Sequence, residues 1–187
     1  MAQPQPSRIS GGFLNPDRVI RHFDIEKGQT VADFGAGHGY FTIPIARAVG
    51  TDGRVYAIDI QQEPLDVIAG KAKADHLLNI HAIRGDLETP GGSTLKDRII
   101  DTVLVSSILF QARHPEDILK EAHRVLREKG MLVMIEWDPD ANERLGPSLD
   151  LRISKHKAMQ LAKDTSFELT REFEAGEYHY GLIFTKI

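Results

Sequence analysis

The stretch Val31–Thr42 constrains this chain more than any other. It begins as an apolar strand, Val31-Ala32-Asp33-Phe34, passes through Gly35, Gly37 and Gly39 in alternation, and enters a helical pattern near Tyr40. A glycine-rich turn from strand to helix lets the backbone approach a ligand at the strand end, where a Cβ would collide. The spacing G-x-G-x-G departs from the dinucleotide fingerprint G-x-G-x-x-G, and no Gly-Lys-Ser/Thr follows to make a phosphate loop. Asp33, two residues before the first glycine, gives the turn a sign. A carboxylate there repels a pyrophosphate and attracts an ammonium or a sulfonium.

The remaining elements alternate. Residues Met1–Gly12, rich in Pro, Gln, Ser and Gly, read as a mobile tail, and residues 13–187 as a single domain. Asn15-Pro16-Asp17 has the chemistry of a helix start, with Asn as cap and Pro in the first turn. Strands are expected at Gln29–Phe34, Arg54–Ile60, Ile80–Arg84, Ile99–Ser107 and Met131–Trp137, with helices at Tyr40–Val49 and Pro64–Asp75 between the first three. Another helix should run from His114 to Lys129 and stop at Gly130, a residue suited to a helix C-terminus. Glu88–Asp97 reads as a loop. Apolar strands separated by helices imply a parallel sheet covered on both faces. The ending differs: a helix near Leu151–Asp164 precedes strands at Phe167–Phe173 and Tyr178–Thr185. Only Glu174–Glu177 separates that last pair, so they form an antiparallel hairpin, because a parallel crossover needs about a dozen residues.

Asp33-x-Gly35-x-Gly37-x-Gly39 after a strand resembles the first motif of the class I S-adenosylmethionine-dependent methyltransferases. A parallel sheet finished by an antiparallel hairpin is also their arrangement, so the resemblance covers Asn15–Ile187. It implies a Rossmann-like three-layer α/β sandwich with a seven-stranded, mostly parallel sheet of order 3-2-1-4-5-7-6. It also implies S-adenosylmethionine as cofactor, held by residues at strand ends, where ligands bind in open α/β sheets. Asp33, Gly35, Ala36, Gly37 and Gly39 would hold the methionine end. Asp59 follows the loop at the spacing of about 20 residues at which nucleotide folds place a ribose-binding acid, and Ile60 would lie on the adenine face. Gly85-Asp86-Leu87 resembles the third motif, Asp86 accepting from the adenine amino group and Leu87 packing on the ring. Ser106, beside Ser107, would line the methyl-transfer site.

The stretches Val31–Thr42, Ile99–Gln111 and His114–Trp137 further resemble the group containing the ubiquinone and menaquinone biosynthesis methyltransferases. That group implies methyl transfer to a small-molecule acceptor. A non-catalytic S-adenosylmethionine-binding partner or sensor subunit is the alternative. The fourth strand is not followed by Asn/Asp-Pro-Pro-Tyr/Phe, which argues against the amino-group methylases. The absence of cysteine removes thiolate metal sites, disulfides and the arsenite enzymes. Ser106–Arg113 contains no acid to bind a metal in the catechol-type manner, and no metal site is expected. Methyl transfer from a sulfonium needs alignment and removal of solvent more than covalent help, so no catalytic residue is assigned. His22, His38, His114, His179, Tyr40, Tyr180 and Glu136 are the available proton acceptors. The acceptor site could be covered only by Phe13–Phe23 and by Asp138–Ser148. A net charge of −4 with interspersed signs argues against a nucleic-acid partner. Accordingly Arg18 and Arg21, and Arg152, Lys155 and Lys157, read as solvated helix faces. With no apolar run of about 18 residues and no apolar signal core at the N-terminus, the sequence reads as a cytoplasmic protein without a membrane span.

Overall fold

Seven strands form one sheet in the order β3-β2-β1-β4-β5-β7-β6, as expected. The computed structural model describes residues 13–141 and 145–187. The expected mobile tail, Met1–Gly12, lies outside the described residues, as does part of the loop after β5. The strands are β1 (Thr30–Phe34), β2 (Arg54–Asp59), β3 (Ile80–Arg84), β4 (Ile100–Ser106), β5 (Leu126–Trp137), β6 (Phe167–Glu174) and β7 (His179–Lys186). The first five run parallel, and β7 lies antiparallel between β5 and β6. The helices are α1 (Pro16–Val19), α2 (Thr42–Val49), α3 (Gln62–Ala74), α4 (Pro115–Val125) and α5 (Lys155–Asp164). None of the described helices is long and apolar enough to cross a membrane.

The apolar stripes decide the layers. On one face Val19, Phe23, Ile45, Ala46 and Val49 pack against Val31, Val55, Leu104, Val133 and Ile183, with Leu65 and Ile68 of α3 against Ala57. On the other face Ile118, Leu119 and Ala122 of α4 and Ala158 and Ala162 of α5 meet Val103, Val105, Leu132 and Leu182. Each large aliphatic side chain removed from water in this way contributes about 1.5–3 kcal/mol. Burial on both faces holds for the central strands. The edge strand β3 is only half covered, with His81, Ala82 and Arg84 exposed.

The end of α4 corrects the expected helix. It stops at Val125, and Leu126 already belongs to β5. The carbonyls that a longer helix would use internally are taken from outside. Arg98 and Ile99 donate their N–H groups to Arg124 O (3.1 Å) and Val125 O (2.9 Å). Lys186 Nζ donates to His123 O (2.7 Å) and Leu126 O (2.8 Å). Residues 127–130 then bulge from the ladder, between the pairs Ile100↔Leu126 and Thr102↔Met131. Gly130 therefore lies inside the bulged strand and is not a helix cap. The last helix also starts later than expected, at Lys155, where the Ser154 hydroxyl accepts from Lys157 N–H (3.3 Å).

Between β3 and β4 a loop, not a helix, covers the sheet with Leu87 and Leu95. It is closed by Glu121 of α4, whose buried carboxylate accepts from Gly91 N (3.1 Å), Ser93 N (3.1 Å), Ser93 Oγ (2.5 Å) and Arg124 Nη2 (2.7 Å). Replacing Glu121 by Ala leaves these donors and a half-buried guanidinium without their acceptor. Loss of one partner from such a cluster should lower stability by about 3 kcal/mol. For a domain of this size that corresponds to a fall of roughly 6–12 °C in melting temperature. An unchanged thermal unfolding curve would show that the clasp contributes nothing.

Candidate functional site

The glycine turn is folded onto the end of β2. Gly35 N and Ala36 N both donate to Ile58 O, at 2.8 and 3.0 Å, and Gly39 N donates to Ala36 O at 2.9 Å. Gly37 N donates to Asp59 Oδ2 at 2.9 Å, while the other carboxylate oxygen accepts from Gln61 N at 2.9 Å. The three glycines serve different purposes. A Cβ on Gly35 would collide with the Ile108 side chain, and one on Gly39 would lie 2.9 Å from Ile68 Cγ1. A Cβ on Gly37 would meet no heavy atom of the described residues within 4 Å. Gly37 also has φ +49°, in the left-handed region that disfavours branched side chains. The first and last glycines admit neighbouring side chains, whereas the middle one faces open space beside Asp59.

Asp33 lies beneath this turn at 2% exposure, its Oδ2 accepting from Thr42 Oγ1 at 2.6 Å across the loop. Burial lifts its carboxyl to about 6. The Thr42 hydrogen bonds oppose that rise and the nearby charge of Asp59 adds to it. The strand-end carboxylates of β1 and β2 therefore interact, as close like charges must. Ile60, next after Asp59, is 55% exposed, an apolar surface left at the mouth. Asp86 is engaged locally, accepting from Glu88 N (3.0 Å) and Thr89 Oγ1 (3.3 Å). Leu87 is buried in the core, and a Cβ on Gly85 would strike the Gly92 carbonyl, so this motif packs a tight loop. Ser106 lies half-buried at the end of β4, one position beyond the pair Phe34↔Val105.

Described parts of both expected covers lie near the ends of β5 and β7. The Tyr40 hydroxyl donates to the Leu14 carbonyl, fixing the N-terminal segment over the loop. Phe13 extends to the far side of the mouth, where it packs edge-on against His179 (6.0 Å) and near Trp137 (6.4 Å). Trp137 and His179, paired across β5 and β7, have ring centroids 4.1 Å apart. Arg152 corrects its expected place on a solvated face. It is buried beneath the second cover and donates to Asp138 O (2.8 Å), Ala141 O (3.3 Å), Leu145 O (2.7 Å) and Pro147 O (3.0 Å). A guanidinium has five donors, so one side chain can hold four carbonyls of the described part of this loop.

Among the proton acceptors, His22, His38 and His114 are exposed, and Tyr180 gives its hydroxyl to Ile153 O (2.7 Å). Burial holds His179 down at about 4, so it is neutral across the physiological range. Glu136, at the end of β5, is fully buried and accepts from Ile108 N (3.2 Å) and Leu109 N (3.0 Å). The sequence reading did not anticipate Thr42 or Ile108. Thr42, at the first helical position and i+9 from Asp33, had the chemistry to be noticed, whereas nothing in the spacing of Ile108 announces contact with Gly35. A concavity of about 500 Å³ lies at the opposite end of the sheet, among Thr30, Arg54, Lys96 and Arg127. It does not adjoin the carboxyl ends of the strands.

The site residues are thus arranged for an uncharged backbone cradle bordered by carboxylates. One thermodynamic consequence follows from Asp33. A carboxyl raised to about 6 binds more protons folded than unfolded, so its contribution to stability falls as pH rises from about 4 to 6. Asp33→Asn keeps an acceptor for Thr42 and removes the buried charge. It should raise stability above pH 6.5 by up to about 3 kcal/mol and leave it unchanged near pH 4. Equal melting temperatures for both proteins at pH 8 would contradict the burial of a charged Asp33.

A sequence model of the family described as "Methyltransferase domain" matches residues 25–177. The demethylmenaquinone methyltransferase of Geobacillus stearothermophilus is 33% identical over 119 residues, 63% of this chain and 49% of that protein. The corresponding enzyme of Staphylococcus aureus (strain MRSA252) is 34% identical over 123 residues, 64% of this chain and 47% of that protein. The chain thus spans about half the length of the curated relatives it matches. A solved SAM dependent methyltransferase from Aquifex aeolicus superposes with a TM-score of 0.85 at 26% identity, over 98% of this chain and 94% of that one. Sheet order, glycine cradle and family match agree: the chain belongs to the methyltransferase-domain family, within the class I S-adenosylmethionine-dependent methyltransferases.

Proposed function

We propose that this chain transfers a methyl group from S-adenosylmethionine to a small-molecule acceptor by in-line displacement. The observation that carries the reading is the open space in front of Gly37 beside the Asp59 carboxylate, with Asp33 buried beneath the turn. The residues present fit the cofactor. Asp59 uses one lone pair on each oxygen for backbone N–H groups, which leaves acceptor capacity for two ribose hydroxyls. Ile60 offers an exposed apolar surface for the adenine. Asp86, in the tight loop packed by Gly85 and Leu87, would accept from the adenine amino group. Gly35, Ala36, Gly37 and Gly39 would hold the methionine end with their backbone, and Asp33 would supply negative charge for its cationic groups.

When bound, the cofactor supplies a methyl group on a positively charged sulfur, electrophilic enough to need no protein nucleophile. The chain's residues align the acceptor from the side of Ser106 and β5 and keep water out through the Phe13 segment and the loop that Arg152 organises. The aromatic group Phe13, Trp137 and His179, with Phe13 edge-on to the other two, supports a flat, ring-containing acceptor. The names of the quinone-methylating relatives support the same class, and a quinol-type ring is the acceptor we infer. A cytoplasmic location belongs to this reading, as does the lack of a nucleic-acid partner, which the net charge of −4 supports.

S-adenosylmethionine and S-adenosylhomocysteine should each raise the melting temperature, and NAD at the same concentration should not. At a hundredfold excess over the dissociation constant the stabilisation is about 2.7 kcal/mol, a shift of roughly 5–10 °C. Gly37→Val should abolish the shift while the protein stays folded, since the side chain fills the cradle. A shift with NAD alone would overturn the reading. Formation of S-adenosylhomocysteine with a demethylated quinol separates an enzyme from a cofactor-binding subunit.

Asp59→Ala tests the ribose contact. Loss of two charge-assisted hydrogen bonds should weaken S-adenosylhomocysteine binding by about 1.5–3 kcal/mol, tenfold or more in dissociation constant. Calorimetry giving wild-type affinity in the folded variant would remove Asp59 from the site.

A further inference from the structure

The carboxylate of Glu136 belongs to no function yet described. Its surroundings tie the acceptor side of the sheet to the cofactor side. The β4–β5 ladder ends where Ser107 N donates to Ile135 O (2.8 Å), and Ser107 itself adopts φ +55° as the chain leaves the sheet. The next two N–H groups, of Ile108 and Leu109, converge on one oxygen of Glu136, at 3.2 and 3.0 Å. Held there, Ile108 places its side chain in the space left by the missing Cβ of Gly35. The second oxygen, Oε2, is buried without a hydrogen-bond partner among the described residues.

We propose that Glu136 is a positioning residue for the cofactor cradle: its buried carboxylate holds the Ile108–Leu109 turn, and Ile108 in turn fixes the glycine loop at Gly35. The proposal rests on the reading of that loop as the cofactor site. A glutamine of the same shape could accept both N–H groups through its oxygen and would bring no charge into the core. The charge is therefore not needed for packing. What it adds is strength, since N–H groups bound to an ionised acceptor are held about twice as firmly as those bound to a neutral one.

This makes the role separable from a structural one. Burial raises the Glu136 carboxyl to about 7, against the backbone N–H groups of Leu109, Ile108 and Trp137 that pull it down. The folded state thus binds the extra proton, and the charged group lowers stability as pH rises from about 4.5 to 7. A residue kept for stability alone would act in the opposite sense. The other titrating groups near it do not share its range. Tyr180, opposite it on β7, is held protonated well above its usual range by burial and by the charges of Glu136 and Asp138. His179 stays neutral. Within the cradle Asp33 titrates near 6.

Binding of S-adenosylhomocysteine, measured by calorimetry from pH 5.5 to 8.5, tests this, with melting temperatures taken in parallel. Wild-type affinity should fall as pH drops through about 7, with a further change near 6 from Asp33. Glu136→Gln should lose only the first change, bind roughly fivefold to tenfold more weakly at pH 8, and melt no lower than wild type. Ile108→Ala removes the wall while leaving the charge; it should weaken binding and keep the pH 7 limb. Wild-type affinity and profile in Glu136→Gln, or wild-type affinity in Ile108→Ala, would overturn the proposal. Should Glu136→Gln fail to fold, Ile108→Ala decides. No binding by the wild-type protein would instead refute the cofactor site itself.

Discussion

The hydrogen bond from Thr42 to Asp33 holds the site together. It joins the end of β1 to the first residue of α2, so the glycine loop between them closes as a short arch of nearly fixed ends. Everything else in the cradle leans on that arch. The Ile58 carbonyl holds its near side, Asp59 holds Gly37, and Ile108 and Ile68 fill the spaces that side chains would have occupied. A buried carboxylate is an expensive tie, because its charge must be desolvated beside a second acid. A neutral pair could close the same arch. The acid thus leaves the fold carrying a local instability that the proposed cationic ligand would offset.

The acceptor side is built by a different kind of interaction. Two segments meet near the end of β5, Phe13–Leu14 anchored by Tyr40 and the described part of the loop after β5 held by Arg152. Trp137 is common to both: Phe13 touches it from one side, and Gly146 and the Arg152 guanidinium lie against its ring from others. The two halves of the site are therefore connected through β5 itself, which carries Trp137 for the covers and Glu136 for the cradle on opposite faces of one strand.

Much of this was legible in the sequence because it is local. Strand and helix identities follow from periodicity, the hairpin from the four residues between its strands, and the glycine arch from its spacing. The misses are long-range. The pattern of α4 runs on through Lys129, and Gly130 has the look of a stop, but the helix ends at Val125 because Arg98, Ile99 and Lys186 claim its carbonyls. Arg152 precedes two lysines and reads as surface, yet its five donors are drawn into a neighbouring loop. Leu87 and Ile60 illustrate the same limit at the site. Both are apolar residues just after a strand, and only packing determines that one is buried and the other lies open at the mouth.

The position of β7 has a consequence for how the molecule is made. It is the last strand in the chain and lies inside the sheet, with β5 on one side and β6 on the other. During synthesis the outer edge of β5 therefore stays unpaired until His179–Lys186 has emerged, and Lys186 is also needed to close the end of α4. An apolar strand with an open edge is a template for pairing with other chains. The cradle formed by β1, β2 and β4 can assemble earlier, from contacts closer in sequence. The half of the protein that carries the glycine arch is complete first, and the half built on β5, β7 and β6 is the aggregation-prone one while the ribosome is still at work.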